Sequence, residues 1–321
     1  MSLAADIASV LLNSLQTGAI YVLLAVGLSI ILGTLKFVNF AHGALYLIGA
    51  YAGILIAGEM SLSNGKLQEW GMSTIGLDLG YAAALILVPI LVFVIGLLME
   101  RFVARPFYDR PDTDQILVTF GLAVIVQELF RAMFGGNSQN FSQPKWASGA
   151  VNLPVVGNFP EWRLWVIGIT ALLVILVIGL IEYTDFGLIV RAGTLDSEMV
   201  RLLGVRLDRQ YLIVFGIGAA LAGVAGVVGG PLELVNPNVG TGILVPAFIT
   251  VVIGGVGSTR GAIVGGLLLG FVESTLIALP SLTIGSFTLN FAPWSQVGMY
   301  AVAAVVLLVR PQGLFGKEVE A

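Results

Sequence analysis

Long stretches without a charged residue follow one another along the chain and predict membrane-spanning helices. Such a helix needs about 20 apolar residues to cross the hydrocarbon core of a bilayer. Suitable windows lie at residues 6–36, 36–59, 78–100, 116–134, 163–182 and 209–233. The fourth window carries Gln127, Glu128 and Arg131 toward its far end, and we still expect it to span the membrane.

The last third of the chain is less regular. Residues between Glu233 and Arg260 are uncharged, but Pro237, Pro246 and the terminal glycines leave only about a dozen good helical residues, which is short for a crossing. Segments 261–279 and 293–309 follow. We therefore predict an all-α polytopic membrane protein with eight to nine transmembrane segments. Those near 243–279 either cross fully or form a broken or re-entrant pair.

Composition agrees with this picture and excludes several function classes. Hydrophobic residues make up 57% of the 321 residues and charged residues 11%, against about 45–50% and ~25% in soluble domains. With no cysteine and a single histidine, thiolate metal sites and most histidine-dependent catalytic sites are excluded. No P-loop, H-E-x-x-H or G-x-S-x-G motif occurs, and nothing suggests nucleic-acid binding. We expect a protein of the lipid bilayer that is not a hydrolase and that holds no metal, cofactor or ATP of its own.

The distribution of Lys and Arg predicts the orientation in the membrane. With the N-terminus outside and the C-terminus inside, eleven of the fifteen basic residues fall in inner connections. These are Lys36, Arg101, Arg105, Arg110, Arg191, Arg201, Arg206, Arg209, Arg260, Arg310 and Lys317. The outer connections then hold Lys66, Lys145 and Arg163. Segments 59–78 and 135–163 become outer loops, and 182–209 becomes an inner loop.

The inner loop contains an amphipathic pattern. Leu195, Met199, Leu202 and Leu203 recur at i, i+4, i+7 and i+8, which predicts a short helix over 194–203 with one apolar face. Thr194 is a candidate N-cap, and Gly204 stands where the helix should end. From the residues alone, this face fits the membrane surface, the protein's own helix ends or a partner protein equally well.

Polar residues inside the spans are candidates for a substrate path, because such groups are costly in lipid unless they face a partner or water. Asn13, Gln16 and Tyr21 form a stripe on the first segment, and Glu273 stands alone in the eighth. Asn39 and His42 begin the second segment. A structural alternative stays open for each: Asn39 as a helix cap, His42 bonded to a neighbouring backbone, and Glu273 bonded to a polar neighbour.

Glycine is unusually frequent and marks one helix break. The 41 glycines are about 13% of the chain, against a usual ~7%, and favour close helix packing. Gly254, Gly255 and Gly257 differ from the rest because neighbouring glycines end a helix where lipid cannot satisfy the freed backbone groups. We predict a break there that is buried in protein or lines a cavity.

Together these segments resemble a known family. The resemblance rests on three sets of segments. The first is 13–33 followed by Val38-Asn39-Phe40-Ala41-His42-Gly43, and the second is Arg191-Ala192 with Leu202-Leu203-Gly204-Val205. The third is Asn236-Pro237, which leads to Pro246-Ala247-Phe248 and to 254–262. As a set they resemble the inner-membrane permeases of branched-chain amino acid ABC importers, the LivH-like half. The outer segments 61–77 and 135–163 do not match that pattern.

The resemblance implies one transmembrane permease domain over 1–321, located in a bacterial cytoplasmic membrane. It implies a complex with a second, similar permease, two cytoplasmic ATPases that bind ATP and Mg²⁺, and a periplasmic binding protein. In that family the segment matching 191–209 contains the helix that docks on the ATPase. Related permeases carry urea, short amides or other small acids, so these substrates stay open.

Two other classes of transport protein stay open as well. A stand-alone secondary transporter would be expected to show an inverted repeat and buried carboxylates, and no convincing repeat is visible in the sequence. A passive channel would need no amphipathic docking helix on its inner side. Co-purification with an ATPase would distinguish all three.

Overall fold

The computed structural model describes residues 3–284 and 287–316, and these form twelve α-helices and three short hairpins. The helices are α1 (Leu3–Leu35), α2 (His42–Ala57), α3 (Lys66–Glu69), α4 (Tyr81–Met99), α5 (Asp112–Phe134), α6 (Glu161–Tyr183), α7 (Asp185–Leu195), α8 (Ser197–Leu202), α9 (Leu207–Gly229), α10 (Val239–Gly254), α11 (Thr259–Ala278) and α12 (Ser295–Val309). The hairpins pair β1 (Glu59–Ser61) with β2 (Thr74–Gly76), β3 (Ala150–Leu153) with β4 (Gly157–Pro160), and β5 (Leu282–Ile284) with β6 (Phe287–Leu289).

Nine of these helices are the predicted hydrophobic segments, which confirms an all-α polytopic membrane protein. Seven are long and apolar enough to cross a membrane, while α2 and α10 have 16 residues each. The structure corrects one detail, because α10 runs without interruption through Pro246 instead of being limited to about a dozen residues. Lys317 and the C-terminus, which entered the orientation argument, lie outside the described residues.

Helix α1 is the centre of the bundle and α5 lies at its edge. In their most apolar stretches, 94% of α1 is buried inside the protein but only 11% of α5. Glycines let neighbouring helices approach α1 closely: a Cβ on Gly27 would stand 2.7 Å from the Gly218 carbonyl oxygen of α9. The position of α1 means that its polar residues face other helices and not lipid.

The two short helices α2 and α10 run antiparallel and touch near their first turns. A Cβ on Gly43 would overlap the Gly240 carbonyl oxygen, and one on Gly240 would stand 3.2 Å from Leu47 Cβ. An asparagine turn precedes each helix: Asn39 Oδ1 accepts from the Ala41 N–H at 3.1 Å, and Asn236 Oδ1 from the Asn238 N–H at 2.9 Å. The two short helices therefore start from the same Asn-x-x-x-Gly pattern, at 39–43 and at 236–240. We call each of these segments the entrance to its helix.

The predicted break at Gly254, Gly255 and Gly257 is the turn between α10 and α11. Gly255 and Gly257 have φ angles of +101° and +78°, a region that L side chains avoid. The last carbonyl groups of α10 accept from a later part of the chain: the Leu314 N–H bonds Ile253 at 2.8 Å and the Phe315 N–H bonds Gly254 at 2.9 Å. The freed backbone groups are thus satisfied by protein, as a break away from water requires.

The connections collect at two opposite ends of the bundle. At one end the loops of 59–78 and 135–163 meet, where Asn137 Nδ2 donates to Ser63 Oγ at 2.8 Å. At the other end Arg260 pairs with Glu182 at 2.9 Å, and Lys36 lines one cavity together with α8. Segments assigned to the same side of the membrane from their charges are therefore neighbours in the fold.

Candidate functional site

The polar stripe of α1 faces two different helices. Near the start of α1, Asn13 Oδ1 accepts a hydrogen bond of 2.5 Å from Arg163 Nη1 in the first turn of α6. Two turns further along α1, the Tyr21 hydroxyl donates to Glu273 Oε2 of α11 at 2.6 Å. Gln16 is buried between these levels, with 8% of its surface exposed. Glu273, isolated in the sequence, therefore has a partner on the central helix.

Asn39 and His42 are fully buried where the chain enters α2. The His42 ring places Nε2 at 3.2 Å from the Leu24 carbonyl oxygen of α1, so Nε2 carries the hydrogen and donates. Its Nδ1 and the Asn39 Nδ2 have no hydrogen-bond partner within the described part of the chain. Such unpaired buried atoms are costly, and they mark this entrance as a place that a water molecule or ligand would stabilise.

Two residues of α5 hold this entrance in place, and the sequence analysis missed both. The segment before α2 has no regular secondary structure, so its backbone N–H groups need outside acceptors. Gln115 Oε1 accepts from the Val38 N–H at 2.9 Å, and Thr119 Oγ1 accepts from the Phe40 N–H at 3.0 Å. Their four-residue spacing on a helix was the available signal, since it places both side chains on one face.

Five of the six candidate path residues thus lie in three separate contacts, and the sixth, Gln16, is buried beside them. Asn13 joins α1 to α6, Tyr21 joins α1 to α11 through Glu273, and Asn39 with His42 forms the entrance to α2. Over residues 3–284 and 287–316, no group of three or more His, Asp or Glu side chains is placed to hold a metal ion. The contacts are those of polar groups buried between helices.

A second polar cluster lies on the exposed side of α5, against the first turn of α10. Arg131 donates to Glu128 at 2.5 Å and to Asn238 Oδ1 at 2.6 Å. Gln127 donates to the same Asn238 oxygen at 3.0 Å and accepts from the Thr241 hydroxyl at 3.1 Å. The sequence pattern indicates the Glu128–Arg131 pair, but Asn238 is far away in the chain and was not foreseen. We call these five residues the α5–α10 cluster.

The amphipathic segment of the inner loop is built differently from the prediction. The sequence predicts one helix over 194–203 capped by Thr194, but α7 continues to Leu195 and a separate helix α8 starts at Ser197. Asp196 is the N-cap: its backbone is extended and its carboxylate accepts from the Met199 N–H at 2.8 Å. Thr194 instead donates to the Arg191 carbonyl oxygen at 2.7 Å. A carboxylate also suits the positive N-terminal end of a helix.

The apolar face of this segment is exposed. Leu195, Met199, Leu202 and Leu203 expose 81%, 54%, 78% and 75% of their surfaces, and we call them the α7–α8 patch. Val200 points the other way and is buried. Gly204 follows α8 with a φ of +82°, as predicted for a helix end. Four large apolar side chains in a loop outside the long helices are unusual unless something covers them.

A buried carboxylate fixes the neighbouring connection between α4 and α5. The fully buried Glu100 accepts hydrogen bonds from Arg105 Nε at 3.1 Å, from Arg105 Nη2 at 3.0 Å and from the Tyr108 hydroxyl at 2.9 Å. Burial and then the nearby Glu100 carboxylate raise the pKa of Tyr108, so its hydroxyl stays protonated and keeps donating. Arg105 also reaches the Asp208 carbonyl oxygen at 3.4 Å, which ties this connection to the start of α9.

Comparisons with known proteins place the chain among transport proteins. The family model described as "Branched-chain amino acid transport system / permease component" matches residues 10–309. The chain is 29% identical to the high-affinity branched-chain amino acid transport system permease protein LivH of Escherichia coli K12, over 96% of this chain and 95% of LivH. It is 30% identical to LivH of Salmonella typhimurium with the same coverage, and 28% identical to BraD of Pseudomonas aeruginosa over 97% and 96% of the two chains. No solved structure matches.

Proposed function

Because the chain belongs to the family of branched-chain amino acid transport system permease components, we propose that it forms the membrane passage of an ATP-driven importer for branched-chain amino acids. The exposed α7–α8 patch supports the inference that transport is driven by ATP. It lies at the end of the bundle where the inner connections meet. Large apolar side chains exposed at this end need a surface that covers them. A permease driven by ATP hydrolysis needs a physical contact with the hydrolysing subunit.

The proposed complex contains this chain, a second permease of the same family, two ATPases and a periplasmic binding protein. The α7–α8 patch docks on an ATPase, and ATP with Mg²⁺ is bound by that partner and not by this chain. Asp196 and Gly204 give α8 fixed limits, while the buried Val200 anchors it to the rest of the protein. A movement of the ATPase would therefore reach the bundle through a rigid element.

We place the N-terminus and the loops of 59–78 and 135–163 in the periplasm, and residues 182–209 in the cytoplasm. The Lys and Arg asymmetry supports this orientation. The natural absence of cysteine gives a simple test. In intact cells a cysteine in place of Ser142 should react with a membrane-impermeant thiol reagent, whereas one in place of Ser197 should react only after the membrane is opened. The reverse pattern would overturn the orientation.

The polar contacts between helices are the proposed substrate path within this subunit. A branched-chain amino acid combines a zwitterionic head with an apolar tail, so it needs a few hydrogen-bonding groups among aliphatic walls and only weak binding. The Tyr21–Glu273 bond and the unpaired atoms of Asn39 and His42 are such groups. Tight binding would slow release, and selection of the substrate can be left to the binding protein.

Uptake by cells tests the proposed substrate. Deleting the coding sequence should abolish accumulation of radiolabelled leucine at micromolar concentrations, and a plasmid copy should restore it. Excess unlabelled valine and isoleucine should compete, while urea and short amides should not. Unchanged leucine uptake in the deletion strain, together with lost uptake of urea or an amide, would assign the importer to another substrate.

A further inference from the structure

An apolar groove runs along the membrane-spanning surface between α4 and α6, with α9 as its floor. Its volume is about 400 Å³, and every residue that lines it is apolar. Helix α4 contributes Leu85 and Phe93 to one wall, and α6 contributes Leu173 and Leu176 to the other. Leu221 of the floor is only 4% exposed, whereas Leu176 at the rim is 58% exposed. The groove is therefore a deep channel that opens sideways toward the surroundings of the bundle.

The groove exists because α4 and α6 are attached to the bundle in different ways. Helix α4 packs directly on α9, where a Cβ on Gly216 would stand 2.7 Å from the Phe93 ring. Helix α6 is tied to α9 near its first turn, where Trp162 Nε1 donates to the Val228 carbonyl oxygen at 3.2 Å. Beyond this bond α6 packs mainly on α1. Its later turns stand away from α4 and α9, which leaves the space between the three helices.

The length and the depth of the groove match one leaflet of a bilayer. Along α6 the groove extends from Ile169 to Leu180, a rise of about 16 Å. The hydrocarbon core is about 30 Å thick, so each leaflet contributes about 15 Å. Trp165 lies one turn before Ile169, is 49% exposed and has its ring 5.0 Å from that of Trp146. Since exposed tryptophans favour the boundary between hydrocarbon and head groups, the groove begins just inside the hydrocarbon, at the end where α6 starts.

The chemistry of the walls decides what fills the groove. Water is disfavoured, because a water molecule needs two to four polar partners and the lining residues are apolar. An empty groove would cost the lining atoms their dispersion contacts. A helix of the same length and about 10 Å across would occupy about 1,200 Å³, so the groove is too narrow to take one. A flexible hydrocarbon chain satisfies all three conditions.

We propose that this groove binds one acyl chain of a phospholipid, whose head group lies beside Trp146 and Trp165. The chain contacts α4, α6 and α9 at once and holds α6 to the bundle along the stretch where this helix stands away from the other two. It is enclosed on three sides, whereas lipid beside exposed residues such as Ile125 of α5 is not. The bound phospholipid therefore exchanges slowly and remains with the protein when other lipid is removed.

Filling the groove with a side chain tests the proposal. Ala220 of α9 lines the groove, so the ring of Ala220→Phe would take the place of the acyl chain. Ala171→Phe is the matched control, because Ala171 is exposed on α6 outside the groove. The protein would be purified with its partner subunits, stripped of lipid stepwise by detergent and weighed by native mass spectrometry. The wild type and Ala171→Phe should each retain one phospholipid per copy of this chain that Ala220→Phe lacks. Complete removal of lipid should lower the melting temperature of the first two proteins but not that of Ala220→Phe.

A second measurement needs no substitution. A phosphatidylcholine that carries a diazirine in its acyl chain would be bound to the wild-type protein and activated by light after the detergent wash. The adducts should concentrate on groove residues such as Leu173 and Leu221, and should be rare at Ile125. Adducts spread equally over the groove and α5 would overturn the proposal, because they would indicate ordinary surrounding lipid. Equal retention of lipid by Ala220→Phe, loss of all lipid from the wild type, or a partner subunit found cross-linked in the groove would overturn it as well.

Discussion

Removing leucines from the α7–α8 patch should detach the ATPase without harming the fold. Leu202 and Leu203 are 78% and 75% exposed, so replacing both by alanine removes little packing inside this chain. Complete burial of a leucine side chain contributes about 1.5–3 kcal/mol. Scaled to the exposed fraction and to the carbons removed, each substitution should weaken a docked contact by about 1–1.5 kcal/mol.

The double variant Leu202→Ala, Leu203→Ala should therefore bind the ATPase about 30- to 150-fold more weakly. The assay is the ratio of ATPase to permease after affinity purification of the tagged permease, followed by substrate-stimulated ATP hydrolysis in proteoliposomes. Leu172→Ala on α6 is the matched control, because this leucine is 58% exposed but lies on an apolar helix away from the patch.

We expect the double variant to insert normally, to lose the ATPase and to transport no leucine, while the control behaves as the wild type. A double variant that retains the wild-type ratio of ATPase would refute the reasoning. The patch would then rest on the membrane surface.

Three further predictions concern the buried contacts. Gly27→Val should prevent close packing of α1 on α9 and greatly reduce the yield of folded protein by size-exclusion chromatography, whereas Gly121→Val, with open space around it, should not. Glu100→Ala should lower the free energy of unfolding by about 2–3 kcal/mol. This is less than for a fully buried ion pair, because the Arg105 guanidinium is one-third exposed. In the control Glu69→Ala, at an exposed position, the melting temperature should change little. His42→Gln keeps a donor to the α1 backbone and should support uptake, whereas His42→Leu should not; equal loss in both would instead indicate that the ring's titration matters.

The transmembrane architecture was largely predictable because charge-free length is a strong signal in a membrane protein. Eight of the nine apolar helices follow directly from the hydrophobic windows. The prediction shortened α10 because Pro237, Pro246 and the terminal glycines were taken as helix breakers, and the helix in fact runs through Pro246. Helices packed in a membrane bundle tolerate an internal proline because neighbouring helices and side chains satisfy the freed backbone group. Sequence alone does not reveal such neighbours.

Contacts between distant segments were the part that sequence could not supply. Polarity inside an apolar segment indicated Glu273, Tyr21 and Arg131, but not that Tyr21 bonds Glu273 or that Arg131 bonds Asn238. The partners lie 252 and 107 residues apart in the chain, so no local spacing relates them. Capping was misassigned for a local reason, since Thr194 and Asp196 are both good caps and only the backbone conformation decides between them.

Transport by purified components tests the central claim most directly. The complete complex, purified through a tag on this chain, would be placed in proteoliposomes with the binding protein and radiolabelled leucine on the side of residues 59–78 and ATP with Mg²⁺ on the side of α8. We predict that leucine accumulates above its outside concentration only while ATP is hydrolysed, and that disabling the P-loop lysine of the ATPase abolishes this accumulation. Leucine that merely equilibrates without ATP, or that accumulates in response to an ion gradient alone, would contradict the account and identify a channel or a secondary transporter.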